Sequence, residues 1–253
     1  MKILVIGDAC LDMYVYCKTN RFCPDAPVPI LKPEAYISTL GMAGNVKDNL
    51  EALGADVELI SNSEKIQKTR YVDSRTNHMF VRIDKGEDNV SPISQKILKN
   101  IKWKKFDAVI ISDYCKGFIN EDTIKYISQR HPLTFLDTKK SLDTFVDDIT
   151  YIKINDAEFE YNLDALSPAW DEKMIITRGS NGADFNGVIY PVDEVDVRDT
   201  SGAGDTFLAG LVYAYITEYN MGDAIRFANE CATQVVQRKG TAKIKINDNI
   251  EKL

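Results

Sequence analysis

The chain has 253 residues, of which 44% are hydrophobic and 27% are charged, enough for a full core in one sizeable domain. Its net charge of −7 argues against nucleic acid as the main partner, so an anionic ligand needs a local group of cations. The apolar run at residues 3–7 is too short for a signal peptide or a membrane span, and no later run is long enough either. Five cysteines without a CxxC pair favour free thiols in a reducing cytoplasm.

Short apolar runs alternate with helical patterns along the chain. Buried strands are predicted at residues 2–6, 57–60, 108–111, 134–136, 151–154 and 174–176. Helices are predicted at residues 44–53, 93–101, 121–129, 206–216 and 223–237. This alternation predicts an α/β fold with a mostly parallel central sheet flanked by helices.

Four further segments have mixed polarity and suit an exposed antiparallel sheet better than the central one. They lie at residues 13–17, 28–36, 69–74 and 78–84, and turn residues separate each pair. We expect a small β lid or clasp, contributed by about residues 13–36 and 69–84, within a single domain spanning 1–253. Because these segments carry apolar residues that have little room in the main core, we also expect them to pair two copies into a homodimer.

The predicted buried strands are followed by polar residues, namely Asp8, Asp113, Asp137, Asn155 and Arg178. In open α/β sheets, ligands bind beyond the carboxyl ends of the strands, so these side chains are predicted to meet at one rim. Strand ends are often polar simply because they are exposed, an explanation that suits one or two such residues better than five.

The stretch DTSGAGDTF at residues 199–207 joins a strand-like run at 192–197 to a long apolar run. Its glycines allow a sharp turn, and the apolar run is typical of a buried helix beginning near Gly204, whose free N–H groups suit an anion. A carboxylate at that position, Asp205, can take a proton from an attacking hydroxyl, which predicts phosphoryl transfer to an alcohol. From spacing alone, an ordinary glycine-rich turn remains an open alternative.

No P-loop, no GxGxxG after the first strand and no HRD or DFG set occurs in the sequence. The DTSGAGDTF stretch, however, resembles the C-terminal signature of the ribokinase-like (PfkB) carbohydrate kinases. Gly7-Asp8 with Leu11-Asp12, the NDAE at 155–158, and the TRG at 177–179 followed by Gly182 resemble other segments of that family in the same order. The resemblance covers about residues 3–240 and implies a ribokinase-like fold and an ATP- and Mg²⁺-dependent sugar kinase.

The resemblance also implies a role for each matching residue. Asp205 would be the catalytic base, and the backbone N–H groups of Gly202, Ala203 and Gly204 would hold charge on the transferred phosphoryl group. Asn155 and Glu158 would act on the metal ion through water. Residues implied at the nucleotide are Lys139, Thr177, Arg178, Gly179, Gly182 and Asn229, and residues implied at the sugar are Asp8, Asp12, Gly41 and Asn45.

Within the family, residues 7–16, 21–29, 68–75 and 112–117 are similar to kinases that act on D-glycero-D-manno-heptose 7-phosphate. This similarity implies a phosphorylated sugar as acceptor, with Arg21, Arg75 and Lys116 reading its phosphate; solvated surface charges are the alternative for all three. Met42 stands where those kinases have a glycine. A kinase for another sugar and a binding protein without turnover therefore stay open.

Overall fold

The computed structural model describes residues 1–217 and 219–245. Eight strands form the larger sheet, in the order β12-β11-β10-β9-β8-β7-β1-β4. Their bounds are β1 Lys2–Gly7, β4 Asp56–Ser61, β7 Ala108–Asp113, β8 Thr134–Thr138, β9 Tyr151–Asn155, β10 Met174–Thr177, β11 Ala183–Phe185 and β12 Val188–Tyr190. Neighbours from β4 to β10 run parallel, and only β11 and β12 pair antiparallel. The predicted α/β architecture is confirmed.

Helices cover both faces of this sheet. They are α1 Ala43–Ala52, α2 Gln95–Asn100, α3 Glu121–Ser128, α4 Asp156–Asn162, α5 Ala203–Ile216 and α6 Met221–Val236. Alternate side chains of β1 face opposite layers: Ile3 and Val5 pack with α1, α5 and α6, whereas Leu4 and Ile6 pack with α2 and α3. No helix among the described residues is both long and apolar enough to cross a bilayer.

The predicted lid forms a separate four-stranded sheet in the order β3-β2-β5-β6. Its strands, β2 Ala9–Phe22, β3 Pro29–Met42, β5 Ile66–Asp73 and β6 Met79–Lys85, are mostly longer than the sequence indicates. The outer pairs are antiparallel as expected, but β2 and β5 pair parallel, with Asp12 opposite Lys68. The expectation of an antiparallel sheet is therefore wrong at its centre, because an alternating pattern marks a strand without naming its partner.

The prediction of a strand at residues 192–197 is also wrong, since this segment pairs with no described strand. It leads instead to Arg198 and Asp199, whose N–H groups donate to the carbonyl oxygen of Val236 at 2.8 and 3.2 Å. The end of α6 thus anchors the chain just before the glycine-rich turn, and the run itself becomes a wall of the cleft described next.

Candidate active site

The carboxyl ends of the central strands meet at one edge, as the polar strand ends predict. Register places Ser112 beside both Gly7 and Asp137, and places Asn155 beside Thr177. A cleft of about 910 Å³ opens beyond β8, β9 and β10 at this edge. Its walls include Tyr114, Lys139, Lys153, Asn155, Thr177, Gly179, Gly182, the run 192–197 in part, residues 202–205 and Asn229.

Gly202 makes the sharp turn into α5. It precedes the helix with φ of 79°, in the left-handed region that glycine adopts without penalty. A Cβ at this position would lie 2.5 Å from Nδ2 of Asn45, so a larger residue would displace the Asn45 amide. The glycine is therefore needed both for the backbone turn and for the close approach of α1.

The first turn of α5 presents free backbone donors. Among the described residues, the N–H groups of Gly202, Gly204 and Asp205 have no acceptor, whereas Ala203 donates to the carbonyl oxygen of Thr200 at 3.2 Å. Unpaired N–H groups at a helix start, together with the helix dipole, form a site for an anion. In the described part of the chain, the N–H groups of Gly202, Gly204 and Asp205 are therefore available to an anion, whereas the Ala203 N–H, which was also expected to bind one, is already bonded.

Asp205 is buried at the base of this turn. Its Oδ1 accepts a hydrogen bond from the Tyr114 hydroxyl at 2.5 Å, and its Oδ2 accepts one from Asn45 Nδ2 at 3.0 Å. Burial raises the pKa of Asp205 to about 6, although both hydrogen bonds act in the opposite direction. The carboxylate is therefore ionised at neutral pH yet basic enough to accept a proton.

Asn45 is itself held in place by its neighbour on α1. Asn49 donates to the backbone oxygen and to Oδ1 of Asn45 at 2.9 and 3.0 Å, and it accepts the N–H of Ile244 at 2.9 Å. These bonds fix the amide so that Nδ2 points at Asp205. Asn45 thus contacts the proposed base directly, a role that the sequence resemblance did not assign to it.

Asp8 is fully buried, contrary to the expectation that it touches substrate. Its carboxylate accepts hydrogen bonds from the backbone N–H groups of Tyr114, Lys116 and Phe118 at 2.8, 3.2 and 3.3 Å. Asp8 therefore shapes the loop after β7 and acts on the site by positioning Tyr114.

The lid supplies a second carboxylate near the start of β2. Asp12 Oδ1 accepts a hydrogen bond from Arg70 at 2.5 Å, and the carboxylate packs so closely on Gly41 that a Cβ there would collide with it. The next residue, Met42, is buried with φ of 58°, a strained value for a residue other than glycine. Met42 packs with Cys10 and Ile66 in a small apolar cluster at the base of the lid.

The three cations expected to read a phosphate do not form one cluster within the chain. Lys116 lies on the loop after β7, two residues from Tyr114, and its ammonium is 2.5 Å from Glu87. Arg21 and Arg75 belong to the far end of the lid: Arg21 is about 30 Å along β2 from Asp12 at about 3.3 Å per residue, and Arg75 lies just past the end of β5. Two other lid cations are closer: Lys68 lies 3.7 Å from Glu87, and Arg70 pairs with Asp12.

Asn155 and Glu158 form a reciprocal capping box at the start of α4. Asn155 Oδ1 accepts the Glu158 N–H, and Glu158 Oε2 accepts the Asn155 N–H, both at 2.9 Å. Lys139 donates to the other Glu158 oxygen. Within 1–217 and 219–245, no three His, Cys, Asp or Glu side chains group as a metal site.

The cleft wall includes four of the residues predicted to bind the nucleotide, namely Thr177, Gly179, Gly182 and Asn229. Asn229 donates to the carbonyl oxygen of Tyr190 at 2.9 Å, which fixes β12 against α6. Arg178 is turned toward Asp156 and Asp184, at 2.6 and 3.2 Å, and is absent from the cleft wall. Arg178 therefore fastens the loop rather than facing a ligand.

Sequence reasoning missed Tyr114 and Lys153 as members of the site. Lys153 is almost completely buried, and its ammonium lies 2.8 Å from Oδ2 of Asp137. Burial favours the neutral acid, but Lys153 and Lys139 outweigh burial and hold the pKa of Asp137 below its ordinary value. The sequence did contain a signal for Lys153: it is a charged residue inside the apolar run 151–155, and buried lysines are rare unless they are paired.

Comparison with known proteins identifies the class. Residues 65–248 match the family described as pfkB family carbohydrate kinase, which is more than half of the chain. The chain therefore belongs to the pfkB family of carbohydrate kinases, and it is a sugar kinase, a phosphotransferase with the ribokinase-like fold.

Individual relatives are similar to this chain in sequence or in fold. The bifunctional protein HldE of a Nitratiruptor species is 29% identical over 98% of this chain and 64% of its own length. The chain thus spans about 64% of that curated relative. Two solved structures share the fold: ribokinase from Thermotoga maritima, with 16% identity, TM-score 0.73 and 98% and 97% coverage, and Arabidopsis thaliana ribokinase complexed with ribose and ATP, with 17% identity, TM-score 0.66 and 94% and 93% coverage.

The Tyr114 hydroxyl is expected to control the protonation of Asp205. Tyr114→Phe removes a hydrogen bond to the ionised carboxylate, so the pKa of Asp205 should rise above about 6 by about one unit. An NMR titration of ¹³C-labelled aspartate carboxyl groups measures this change. Tyr126→Phe on α3 serves as the control and should leave the titration unchanged; an unchanged pKa in Tyr114→Phe would show that the bond does not act on the base.

Proposed function

We propose that this kinase transfers the terminal phosphoryl group of ATP to a hydroxyl of a phosphorylated sugar, with D-glycero-D-manno-heptose 7-phosphate as the acceptor that fits best. The observation that carries the proposal is Asp205, a buried carboxylate with a raised pKa, directly beside unpaired N–H groups at the start of α5. We also propose that residues 1–253 act as one cytoplasmic kinase domain, a setting supported by five cysteines that form no disulfide.

Proton removal from the sugar and charge stabilisation on the phosphoryl group are carried out by different residues. Asp205 accepts the proton of the sugar hydroxyl, while Asn45 and Tyr114 hold the carboxylate in place by their hydrogen bonds. The N–H groups of Gly202 and Gly204 stabilise negative charge that grows on the phosphoryl oxygens. Phosphoryl transfer depends mainly on such positioning and on electrostatic stabilisation.

The cleft suits a nucleotide. Valine side chains at 192, 195 and 197 give one wall an apolar surface for a base, and the glycine-rich turn closes the other end for phosphates. ATP supplies the phosphoryl group, consistent with the ribokinase solved with ribose and ATP. Asn155 and Glu158 offer side-chain oxygens, and Oδ1 of Asp137 is buried without a hydrogen-bond partner among the described residues. These oxygens fit Mg²⁺, which would act through water and offset phosphate charge.

The sugar side supports a phosphorylated acceptor. Asp12 can accept sugar hydroxyls, and Lys68 and Lys116 converge on Glu87, which holds both ammonium groups near the site. A substrate phosphate would compete with Glu87 for these two cations.

The heptose assignment rests on the similar segments at 21–29 and 112–117. Met42, strained, buried and adjacent to Gly41, favours the second candidate, a kinase for another sugar.

Asp205→Asn is expected to abolish turnover while preserving the fold. The amide cannot accept the hydroxyl proton, so kcat should fall about 10²–10⁴-fold with ATP affinity nearly unchanged. Because burial raises the folded-state pKa of Asp205, ionisation destabilises the native state as pH rises from about 4 to about 6, and the variant should melt higher at pH 7. Steady-state kinetics and thermal unfolding check both effects, with Asp122→Asn on α3 as control. Near wild-type turnover would exclude Asp205 as the base.

Substrate preference tests the acceptor. We expect kcat/KM to be highest for heptose 7-phosphate, lower for fructose 6-phosphate, and lower by several decades for unphosphorylated heptose and ribose, because charge-assisted contacts contribute about 1.5–3 kcal/mol each. Lys116→Met should erase much of the preference for phosphorylated sugars, whereas Lys96→Met on α2 should not. Equal use of unphosphorylated sugars would contradict the phosphate-reading residues; a preference for fructose 6-phosphate would contradict only the heptose assignment.

We also propose that the lid sheet pairs two copies of the chain. Register aligns Tyr36, Val15, Tyr71 and Val81 in one row across its four strands, so these side chains share a face. Tyr36 and Val81, at the two ends of the row, are 67% and 45% exposed in the single chain, whereas Val15 is already buried. An apolar row of this kind suits burial against its own copy about a two-fold axis.

Disruption of this face should separate the dimer. Val81→Glu places a charge in the apolar row and should give a monomer in sedimentation velocity, whereas the wild type sediments as a dimer. Val188→Glu, at a comparably exposed valine on the edge of the larger sheet, is the matched control. A wild-type protein that stays monomeric at high concentration would remove the dimer from the account and leave the kinase assignment intact.

A further inference from the structure

Lys153 lies at the centre of the site without a role in the chemistry described so far. It comes from β9, its side chain is only 4% exposed, and it lines the same cleft as the glycine-rich turn. Its ammonium group would lie 3.0 Å from a Cβ on Gly204, so the charge sits directly against the first turn of α5. The absence of a side chain at Gly204 leaves room for this ammonium group.

The partners of Lys153 do not use its full donor capacity. An ammonium group has three N–H donors, yet among the described residues Lys153 donates only to Oδ2 of Asp137, at 2.8 Å. Buried donors without acceptors are costly, and an enclosed cation normally satisfies them. Two donors thus remain for a group that enters the cleft.

Asp137 neutralises this cation from one side, but its other side faces the first turn of α5. The start of a helix carries partial positive charge, and the unpaired N–H groups of Gly202 and Gly204 add to it. A buried ammonium at the same place repels that charge. An anionic oxygen between Lys153 and the turn would satisfy both sets of donors and remove the repulsion.

We propose that Lys153 contacts an oxygen of the terminal phosphate of the nucleotide, opposite the N–H groups of the α5 turn, and that Asp137 positions it. The inference rests on the proposed function, because it assumes that a nucleotide occupies the cleft. Lys139 is less suited to this role, since its ammonium pairs with Glu158 and its side chain is 32% exposed. Asp137 is 2% exposed and reaches Lys153 from the neighbouring strand β8, which gives the ammonium a fixed location.

A purely structural lysine would behave differently. If Lys153 only neutralised Asp137, its removal would affect stability and would change the binding of ATP and ADP equally. A contact with the terminal phosphate instead affects ATP alone, because ADP lacks that group. The ratio of the two dissociation constants therefore separates these roles without any sugar substrate.

The variants are Lys153→Met and the double variant Asp137→Asn with Lys153→Met. Methionine keeps most of the length of the side chain without its charge, but the single change leaves a buried carboxylate with a lost partner, which can prevent folding. The double change removes the charges of both Lys153 and Asp137, so a folded protein remains for comparing the binding of ATP and ADP. Lys125→Met, on α3 and outside the cleft, is the control.

Isothermal titration with ADP and with a non-hydrolysable ATP analogue provides the main measurement. In the folded variants, affinity for the ATP analogue should fall about 10- to 100-fold relative to ADP, kcat should fall by a similar factor, and KM for the sugar should stay within about twofold. An unchanged ratio in the double variant would overturn the role of Lys153 alone. A wild-type protein that binds neither nucleotide would overturn the proposed function and this inference with it.

Discussion

The site depends on one buried charge, the carboxylate of Asp205. Three separate parts of the chain meet there: the first turn of α5 carries Asp205, α1 presents Asn45, and the loop after β7 presents Tyr114. Burial opposes ionisation and the two hydrogen bonds support it, which leaves the pKa at about 6. This balance gives a group that is ionised at neutral pH and still able to take a proton. The hydrogen bonds from Asn49 to Asn45 serve the same centre.

Ion pairs at the ends of the central strands surround the cleft beside the glycine-rich turn. Asp137 and Glu158 are each paired with a lysine, Lys153 and Lys139, so acidic and basic groups alternate around the cleft. We propose that this arrangement lets a chain of net charge −7 hold a polyphosphate locally, because the nearest charges decide the potential inside a low-dielectric cleft. The lid repeats the pattern at the proposed sugar side, where Glu87 pairs with Lys68 and Lys116.

Much of the fold could be predicted from the sequence, because apolar runs bounded by polar residues mark buried parallel strands. The helix bounds were close for α1, α3 and α6, and α5 begins one residue before Gly204. Pairing was harder: nothing in a strand's own pattern shows that β2 joins β5 in parallel. Side-chain direction was also hidden, since only the register of β8 and β9 shows that Lys153 meets Asp137, and only the loop after β7 shows that Asp8 is enclosed.

The most direct test of this account is a crystal structure with a non-hydrolysable ATP analogue and a sugar phosphate bound together. We expect terminal phosphate oxygens within hydrogen-bond distance of the N–H groups of Gly202, Gly204 and Asp205, and an acceptor hydroxyl within hydrogen-bond distance of the Asp205 carboxylate. A terminal phosphate held elsewhere in the cleft, or an acceptor hydroxyl out of reach of Asp205, would contradict it.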